Sequence, residues 1–139
     1  MIANFRITEI NGKRGEGAGA GKIETVFNVM DTEKKKDAAL GDYVRLRFGF
    51  DIKYPGDMGE IKFKGNLWYC HPELDKQVTE EEDMIELSAN AVIEISNMIL
   101  SSCLIEGMGI ASKLNLPGPI KLPQVKSANP IKYKKIKNQ

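Results

Sequence analysis

The chain has 139 residues and a mass of 15.5 kDa, which is the size of one ordinary domain. Hydrophobic residues make up 42% and charged residues 28% of the sequence, close to the averages of soluble globular proteins, and the net charge is only +1. These values argue against a disordered, collagen-like or membrane-spanning chain, because even the longest apolar-rich stretch, residues 89–105, contains Asn90, Glu94 and Asn97.

Two weak strands are predicted before residue 31. Phe5 and Ile7 alternate with polar residues, and a second alternation runs from Ile23 to Met30. The glycine-rich stretch between them, residues 15–22, lacks the glycine and the Ser or Thr that a phosphate-binding loop requires at fixed positions. It also precedes a strand pattern where such a loop would precede a helix. We therefore expect a hairpin connection there.

The clearest local signal is an alternation over residues 43–54. Its apolar face is formed by Val44, Leu46, Phe48, Phe50, Ile52 and Tyr54. A turn rich in Pro and Gly follows, and a second alternation covers residues 61–69. The pattern predicts an antiparallel hairpin with one face buried. Because short connections favour adjacent strands, we expect all four strands to pair with their chain neighbours as a meander.

Cys70 and Cys103 are the only cysteines, and His71 is the only histidine. Two cysteines cannot build a disulfide framework, and with no secretory leader a reducing cytoplasmic location is expected. A metal site needs three or four converging ligands, and consecutive strand residues point to opposite faces. No metal, cofactor or catalytic residue is therefore predicted, and we do not expect an enzyme.

A long amphipathic helix is predicted from about Glu81 to Glu106. Thr79 and Glu82 fit a capping box, and an end near Gly107 or Gly109 is expected. Such a helix is about 39 Å long, more than the width of a four-stranded sheet. Ile93, Leu100 and Leu104 also lie off its main apolar stripe, so we predict that they contact a second subunit. The alternative is a break near residues 101–102, after which the chain wraps its own core.

The C-terminal part divides into an extended segment and a basic tail. Three prolines within residues 117–123 exclude a regular helix. From Lys121 onward there are six lysines and no acidic residue, so the remainder carries 14 basic against 19 acidic side chains, a net charge of −5. We assign residues 1–125 to a single domain and residues 126–139 to a flexible tail. This tail is either a solubilising terminus or a salt-sensitive contact for nucleic acid or another acidic partner.

Aromatic residues, methionines and the apolar residues around the prolines are candidates for a binding groove. Trp68 and Tyr43 fall on the polar faces of their strands, where they could adjoin. Methionines provide adaptable apolar surface, but ordinary core filling is the favoured explanation for those in the helix. The candidate groove residues are Tyr43, Met58, Trp68, Met108, Leu114, Leu116 and Ile120.

The order of four strands, one long helix and an extended Leu-Asn-Leu passage resembles the SecB family of protein-export chaperones. The local match lies in Glu94-Ile95-Ser96-Asn97-Met98-Ile99, in Leu114-Asn115-Leu116 and in Pro119-Ile120-Lys121-Leu122. The resemblance in topology covers residues 4–122, but only some 15 residues match in sequence. The stretch before Leu114 is several residues longer than in the family, and family members tend to be acidic where this chain ends in lysines.

The resemblance implies an α+β fold in which an antiparallel sheet packs against a long helix. It also implies subunits that pair through the helix and a sheet edge, and apolar grooves that hold unfolded polypeptides without ATP. We accordingly expect a homo-oligomeric, cytoplasmic holdase with non-native polypeptides as partners, and neither a membrane nor nucleic acid. The alternative is a non-enzymatic binding module that takes nucleic acid or an acidic partner through the lysine-rich tail.

Overall fold

The computed structural model describes residues 1–17, 21–118 and 128–136. The elements follow in the order β1 (Ile2–Arg14), β2 (Glu24–Asp37), β3 (Gly41–Lys53), β4 (Gly59–Cys70), α1 (Leu74–Gln77), β5 (Val78–Glu80), β6 (Met84–Leu87), α2 (Ala89–Lys113) and β7 (Ile131–Lys134). A four-stranded antiparallel sheet packs against α2, and β5, β6 and β7 form a second, smaller sheet. The predicted α+β class is confirmed.

The main sheet has the strand order β1-β4-β3-β2. The predicted hairpin β3–β4 is present, with Phe50 opposite Phe63 and Ile52 opposite Ile61. The predicted meander is wrong at its first step, because β1 pairs with β4 and β2 pairs with β3. The β3–β4 hairpin forms the centre of the sheet, and β2 pairs with the outer edge of β3 while β1 pairs with the outer edge of β4. The connection of residues 15–23 is long enough for this arrangement, since three strand spacings amount to about 14 Å.

The long helix starts later than the sequence suggests. Residues 78–87 form the hairpin β5–β6, in which Ile85 and Leu87 are buried with the period of two that is typical of a strand. The actual N-cap of α2 is Ser88, whose Oγ accepts a hydrogen bond from the Ala91 backbone N–H at 3.2 Å. The helix also continues past Gly107, where a Cβ atom would lie 2.6 Å from Ile52 Cδ1. This glycine permits close packing on the sheet and does not end the helix.

Helix α2 runs along the strands and not across them. At its start, Glu94 lies 2.9 Å from the amino group of Met1, and near its end Ile110 and Leu114 lie over Gly12 of β1. Its 25 residues span about 37 Å, close to the roughly 40 Å of a 12-residue strand. Helix length should therefore be compared with the length of the strands and not with the width of the sheet. On that comparison no part of α2 extends beyond the sheet, so its length does not indicate a second subunit.

Helix α2 is long and apolar enough to cross a membrane by length and composition. The core helix of a soluble protein meets the same criterion, and this helix carries one face of the hydrophobic core. Its residues buried against the rest of the fold include Val92, Ile95, Ile99, Cys103 and Ala111. Packing against the sheet explains its apolar character.

Both cysteines are free and buried. Burial raises the pKa of Cys103 to about 12 and also raises the pKa of Cys70. We expect neither thiol of the folded protein to react with Ellman's reagent at mildly alkaline pH, because the reactive thiolate is scarce and inaccessible. The absorbance of the released thiolate dye should report two thiols per chain only after guanidinium chloride has unfolded the protein. Rapid reaction of either thiol before unfolding would contradict this packing.

The stretch predicted as a flexible tail contains β7, which pairs with β6 so that Tyr133 lies opposite Ile85. Its alternation of Ile131 and Tyr133 with lysines suits a strand that has one covered face. Lys132 Nζ lies 2.8 Å from Glu81 Oε1, so opposite charges also favour this pairing.

Candidate functional site

The predicted aromatic pair exists. Tyr43 and Trp68 stack with ring centroids 4.1 Å apart and an angle of 17° between their planes. They lie on the face of the sheet opposite α2, and Tyr43 is buried. The same face carries the ion pair between Arg47 and Asp31, whose hydrogen bonding raises the pKa of the Arg47 guanidinium.

The other candidate groove residues lie elsewhere. Met58, in the turn before β4, and Leu114 and Leu116, after α2, lie at the opposite end of the strands from Tyr43 and Trp68. Leu116 is buried against Gly59, and the Tyr54 hydroxyl donates a hydrogen bond of 2.6 Å to the Pro117 carbonyl that holds this segment in place. Met108 is exposed on α2. Ile120 lies outside the described residues.

The three candidate interface residues differ in exposure. Ile93 and Leu100 are partly exposed on α2, whereas Leu104 is 1% exposed and belongs to the core of its own protomer. Leu104 therefore leaves no surface for a second copy. The neighbouring Ile105 is 59% exposed, but it lies about 120–140° around the helix from Ile93 and Leu100 and so belongs to a different side of α2.

An apolar cleft between β1 and α2 escaped the sequence analysis. It has a volume of about 500 Å³ and is lined by Phe5, Ile7, Ile10, Ser102, Ile105 and Glu106. We call it the β1–α2 cleft. Ile10 is 47% exposed although it lies on the same face of the sheet as the core. Two large aliphatic side chains, Ile10 and Ile105, thus project into solvent from opposite walls of one cleft.

Irregularities in β1 explain why the cleft was missed. The register between β1 and β4 shifts between Ala3 and Arg6 and again between Ile7 and Glu9. The second shift returns Ile10 to the face of Ile7, whereas strict alternation would place it on the opposite face. Asn4, with φ of +50°, lies within the first irregularity. Asparagine tolerates the left-handed region better than most residues, so the presence of Asn4 was the one feature of the sequence that could have indicated an irregularity in β1.

Strand β1 is also an edge of the main sheet. Its outer side pairs with no strand in the part of the chain that the structure describes, so a row of backbone N–H and C=O groups faces solvent beside the cleft. Unpaired edges of this kind accept an extended polypeptide as an additional strand. The arrangement can therefore bind a chain through its backbone and receive its apolar side chains in the cleft.

The other chemical candidates have structural explanations. His71 Nδ1 accepts a hydrogen bond of 2.9 Å from the Glu73 backbone N–H, within the turn that follows β4. The backbone N–H groups of Gly15 and Gly17 donate to the Met58 and Asp57 carbonyls, and the next element is the strand β2. Across the described ranges, no group of three or more His, Cys, Asp or Glu side chains could hold a metal ion.

Comparison with known proteins finds a similarity in structure but none in sequence. No protein-family model matches the sequence, and no curated protein matches it. Among solved structures, the chain is similar to a SecB-like chaperone of Mycobacterium tuberculosis, determined in complex with a ChAD peptide from the HigA1 antitoxin. The TM-score is 0.54 at 13% sequence identity, and the match covers 89% of this chain and 87% of that one. The chain therefore has a SecB-like fold.

Proposed function

We propose that this chain is an ATP-independent chaperone, a holdase, that binds non-native polypeptide segments. The observation that carries the proposal is the exposed apolar β1–α2 cleft beside an unpaired edge strand. The presence of a peptide on the similar Mycobacterium tuberculosis chaperone supports it. Cytoplasmic location, a link to protein export and the absence of enzymatic activity are further parts of the proposal, which the resemblance to SecB supplies.

Binding would combine two contributions. A client segment in extended conformation pairs its backbone with β1, which is independent of sequence, and places apolar side chains between Ile10 and Ile105. Fully burying one Leu or Phe side chain is worth about 1.5–3 kcal/mol, so a few such contacts suffice for useful affinity. Selectivity is then broad, because any unfolded segment with exposed apolar residues meets both requirements.

We also propose that the protein forms a homo-oligomer through a side of α2 that is separate from the β1–α2 cleft. Ile93 and Leu100, seven residues apart on the same side of α2, are partly exposed, and a second copy of the chain would cover them. Light scattering should then give a mass that is a multiple of 15.5 kDa. A monomer at micromolar concentration would contradict this part of the proposal and leave the client-binding part standing.

The direct test is the suppression of client aggregation. At an equimolar ratio and without nucleotide, the protein should reduce the light scattering of a client enzyme that aggregates on heating. Added ATP should make no difference, because binding requires no hydrolysis. Scattering that stays unchanged over a range of ratios would refute the holdase proposal. A matched amount of an inert protein of similar size controls for crowding.

A further inference from the structure

The C-terminal segment lies between the two sheets. On one side, β7 pairs antiparallel with β6, and on the other the segment meets the outer edge of β2. There, Thr32 Oγ1 donates a hydrogen bond of 3.0 Å to the Lys134 carbonyl, and the Ile136 N–H donates one of 2.9 Å to the Thr32 carbonyl. The described part of the tail is thus bound as an extended strand by two polypeptide edges.

The surface beneath the tail has two walls that belong to the folded body. Thr32 and Ile85 are fully buried, the first within β2 and the second within β6. The hairpin that carries Ile85 is fixed to the body by the buried Leu87, and a hydrogen bond from the Ser88 N–H to the Gln77 carbonyl closes the base of the hairpin. We call this surface the tail groove; it is formed by Thr32, Glu80, Glu81, Ile85 and the free edge of β6.

Charge complements the backbone pairing. The turn between β5 and β6 is acidic, and Glu80 and Glu81 contact Lys135 and Lys132 at 2.9 and 2.8 Å. The hydrogen bond from Lys135 lowers the pKa of Glu80, as expected for a carboxylate held next to a cation. Tyr133 is half-buried over Ile85, and its burial raises the pKa of its hydroxyl. The groove therefore fits a strand in which apolar and basic residues alternate.

The occupant is held less firmly than the groove. Strand β7 has four residues, against 13 in β1, and Ile131 at its start is exposed. The two ion pairs of the tail, made by Lys132 and Lys135, are partly exposed, and exposed ion pairs contribute little to stability. Short terminal elements with few buried contacts open locally without global unfolding. Opening would leave a preformed groove with an unpaired β6 edge, a free Thr32 hydroxyl and unneutralised glutamates.

We propose that the tail groove is a second polypeptide-binding site, which accepts extended client segments of alternating apolar and basic residues and which the chain's own residues 131–136 occupy as an intramolecular competitor. The surface is different from the β1–α2 cleft, so the proposal goes beyond the function proposed above. A client must compete with a tethered tail whose effective concentration is high. The tail therefore sets a threshold that only closely matching segments exceed.

The test uses the full-length chain and a fluorescent synthetic peptide with the sequence of residues 128–136. In the variant carrying both Lys132→Glu and Lys135→Glu, the tail faces Glu81 and Glu80 with like charges and should detach. We expect this variant to bind the peptide at least about tenfold more tightly than the unmodified chain. A peptide with glutamate in place of each lysine should bind the two chains with equal affinity, because it retains only the contacts that the β1–α2 cleft offers to any apolar segment. Trp68 fluorescence verifies that the variants remain folded.

Two further measurements assign the site. Adding Glu80→Gln and Glu81→Gln to the detached-tail variant should remove most of its gain in affinity for the basic peptide, whereas Ile105→Lys in the β1–α2 cleft should leave that gain unchanged. The second control separates this proposal from the holdase proposal, since either can fail alone. Hydrogen exchange of the Ile131–Lys134 amides should accelerate in the detached-tail variant and, for the unmodified chain, in the presence of excess peptide.

Three results would overturn the proposal. The first is equal peptide affinity for the unmodified and detached-tail chains, or no binding to either. The second is slow amide exchange of residues 131–134 in the detached-tail variant, which would show that the tail does not leave the groove. The third is a dimer that dissociates when Lys132 and Lys135 are replaced by glutamate, which would assign the groove to the tail of a second copy.

Discussion

Replacing Gly65 with alanine is expected to destabilise the chain by about 2–3 kcal/mol, which lowers the Tm by roughly 6–12 °C. Gly65 lies in the middle of β4, between β1 and β3. A Cβ atom there would lie 2.2 Å from the Arg6 carbonyl oxygen and 2.6 Å from Cζ of Phe48. Neither neighbour can easily yield, because the first is backbone of the paired strand and the second is a fully buried ring that stacks on Phe5.

Gly109→Ala is the matched control for this substitution. Gly109 lies in α2, and a Cβ atom there meets nothing within 4 Å. Alanine at this position should stabilise the chain by about 0.5–1 kcal/mol, because glycine costs more conformational entropy in a helix. Urea unfolding monitored by circular dichroism measures both changes. Equal stability of the Gly65→Ala variant and the unmodified chain would show that β1 does not pack on β4 at this register.

Regular alternation made the centre of the fold predictable. Along β3 and into Tyr54, just after its end, apolar residues recur at every second position, and all six from Val44 to Tyr54 are buried. Only one face of such a strand can be buried, so the turn between β3 and β4 was enough to predict the register of their pairing. The long helix was predictable for the same reason, because its apolar stripe fits no other period.

Local sequence signals predicted the wrong element where the same residue types suit both a helix start and a strand. Thr79 and Glu82 form an acceptable capping box, yet β5 and β6 occupy that stretch because Ile85 and Leu87 are buried as strand residues. The pairing of β1 with β4 was also beyond reach, since chain adjacency favours neighbouring strands and nothing local indicates which edge a strand will take.

The candidate site was the least predictable part. The β1–α2 cleft depends on a register shift within β1 and on the direction of α2, and both are set by tertiary packing. Exposure likewise cannot be read from residue type: Leu104 and Ile105 are adjacent and similar, yet the first is in the core and the second faces solvent. Tyr43 and Trp68 were predictable as neighbours because cross-strand geometry alone brings them together.

The largest functional effect is expected from Ile10→Lys combined with Ile105→Lys. The two side chains face each other across the β1–α2 cleft and are 47% and 59% exposed, so their replacement should leave the free energy of unfolding nearly unchanged. Each substitution removes part of the burial energy of a client and places a charge where an apolar side chain would bind. A loss of about 1.4 kcal/mol per site weakens binding about tenfold.

The control is the pair Val26→Lys and Met30→Lys. These residues are 45% and 42% exposed and lie on β2, the other edge strand of the main sheet, so the change in charge and in exposed area is closely matched. Aggregation of a heated client at an equimolar ratio should be suppressed by the unmodified chain and by the β2 variant but not by the cleft variant. The mass of each variant, measured by light scattering, shows whether assembly is lost together with client binding. Equal suppression by both variants would exclude the β1–α2 cleft as the binding site, whereas equal loss in both would mean that any added charge on the sheet edges abolishes binding.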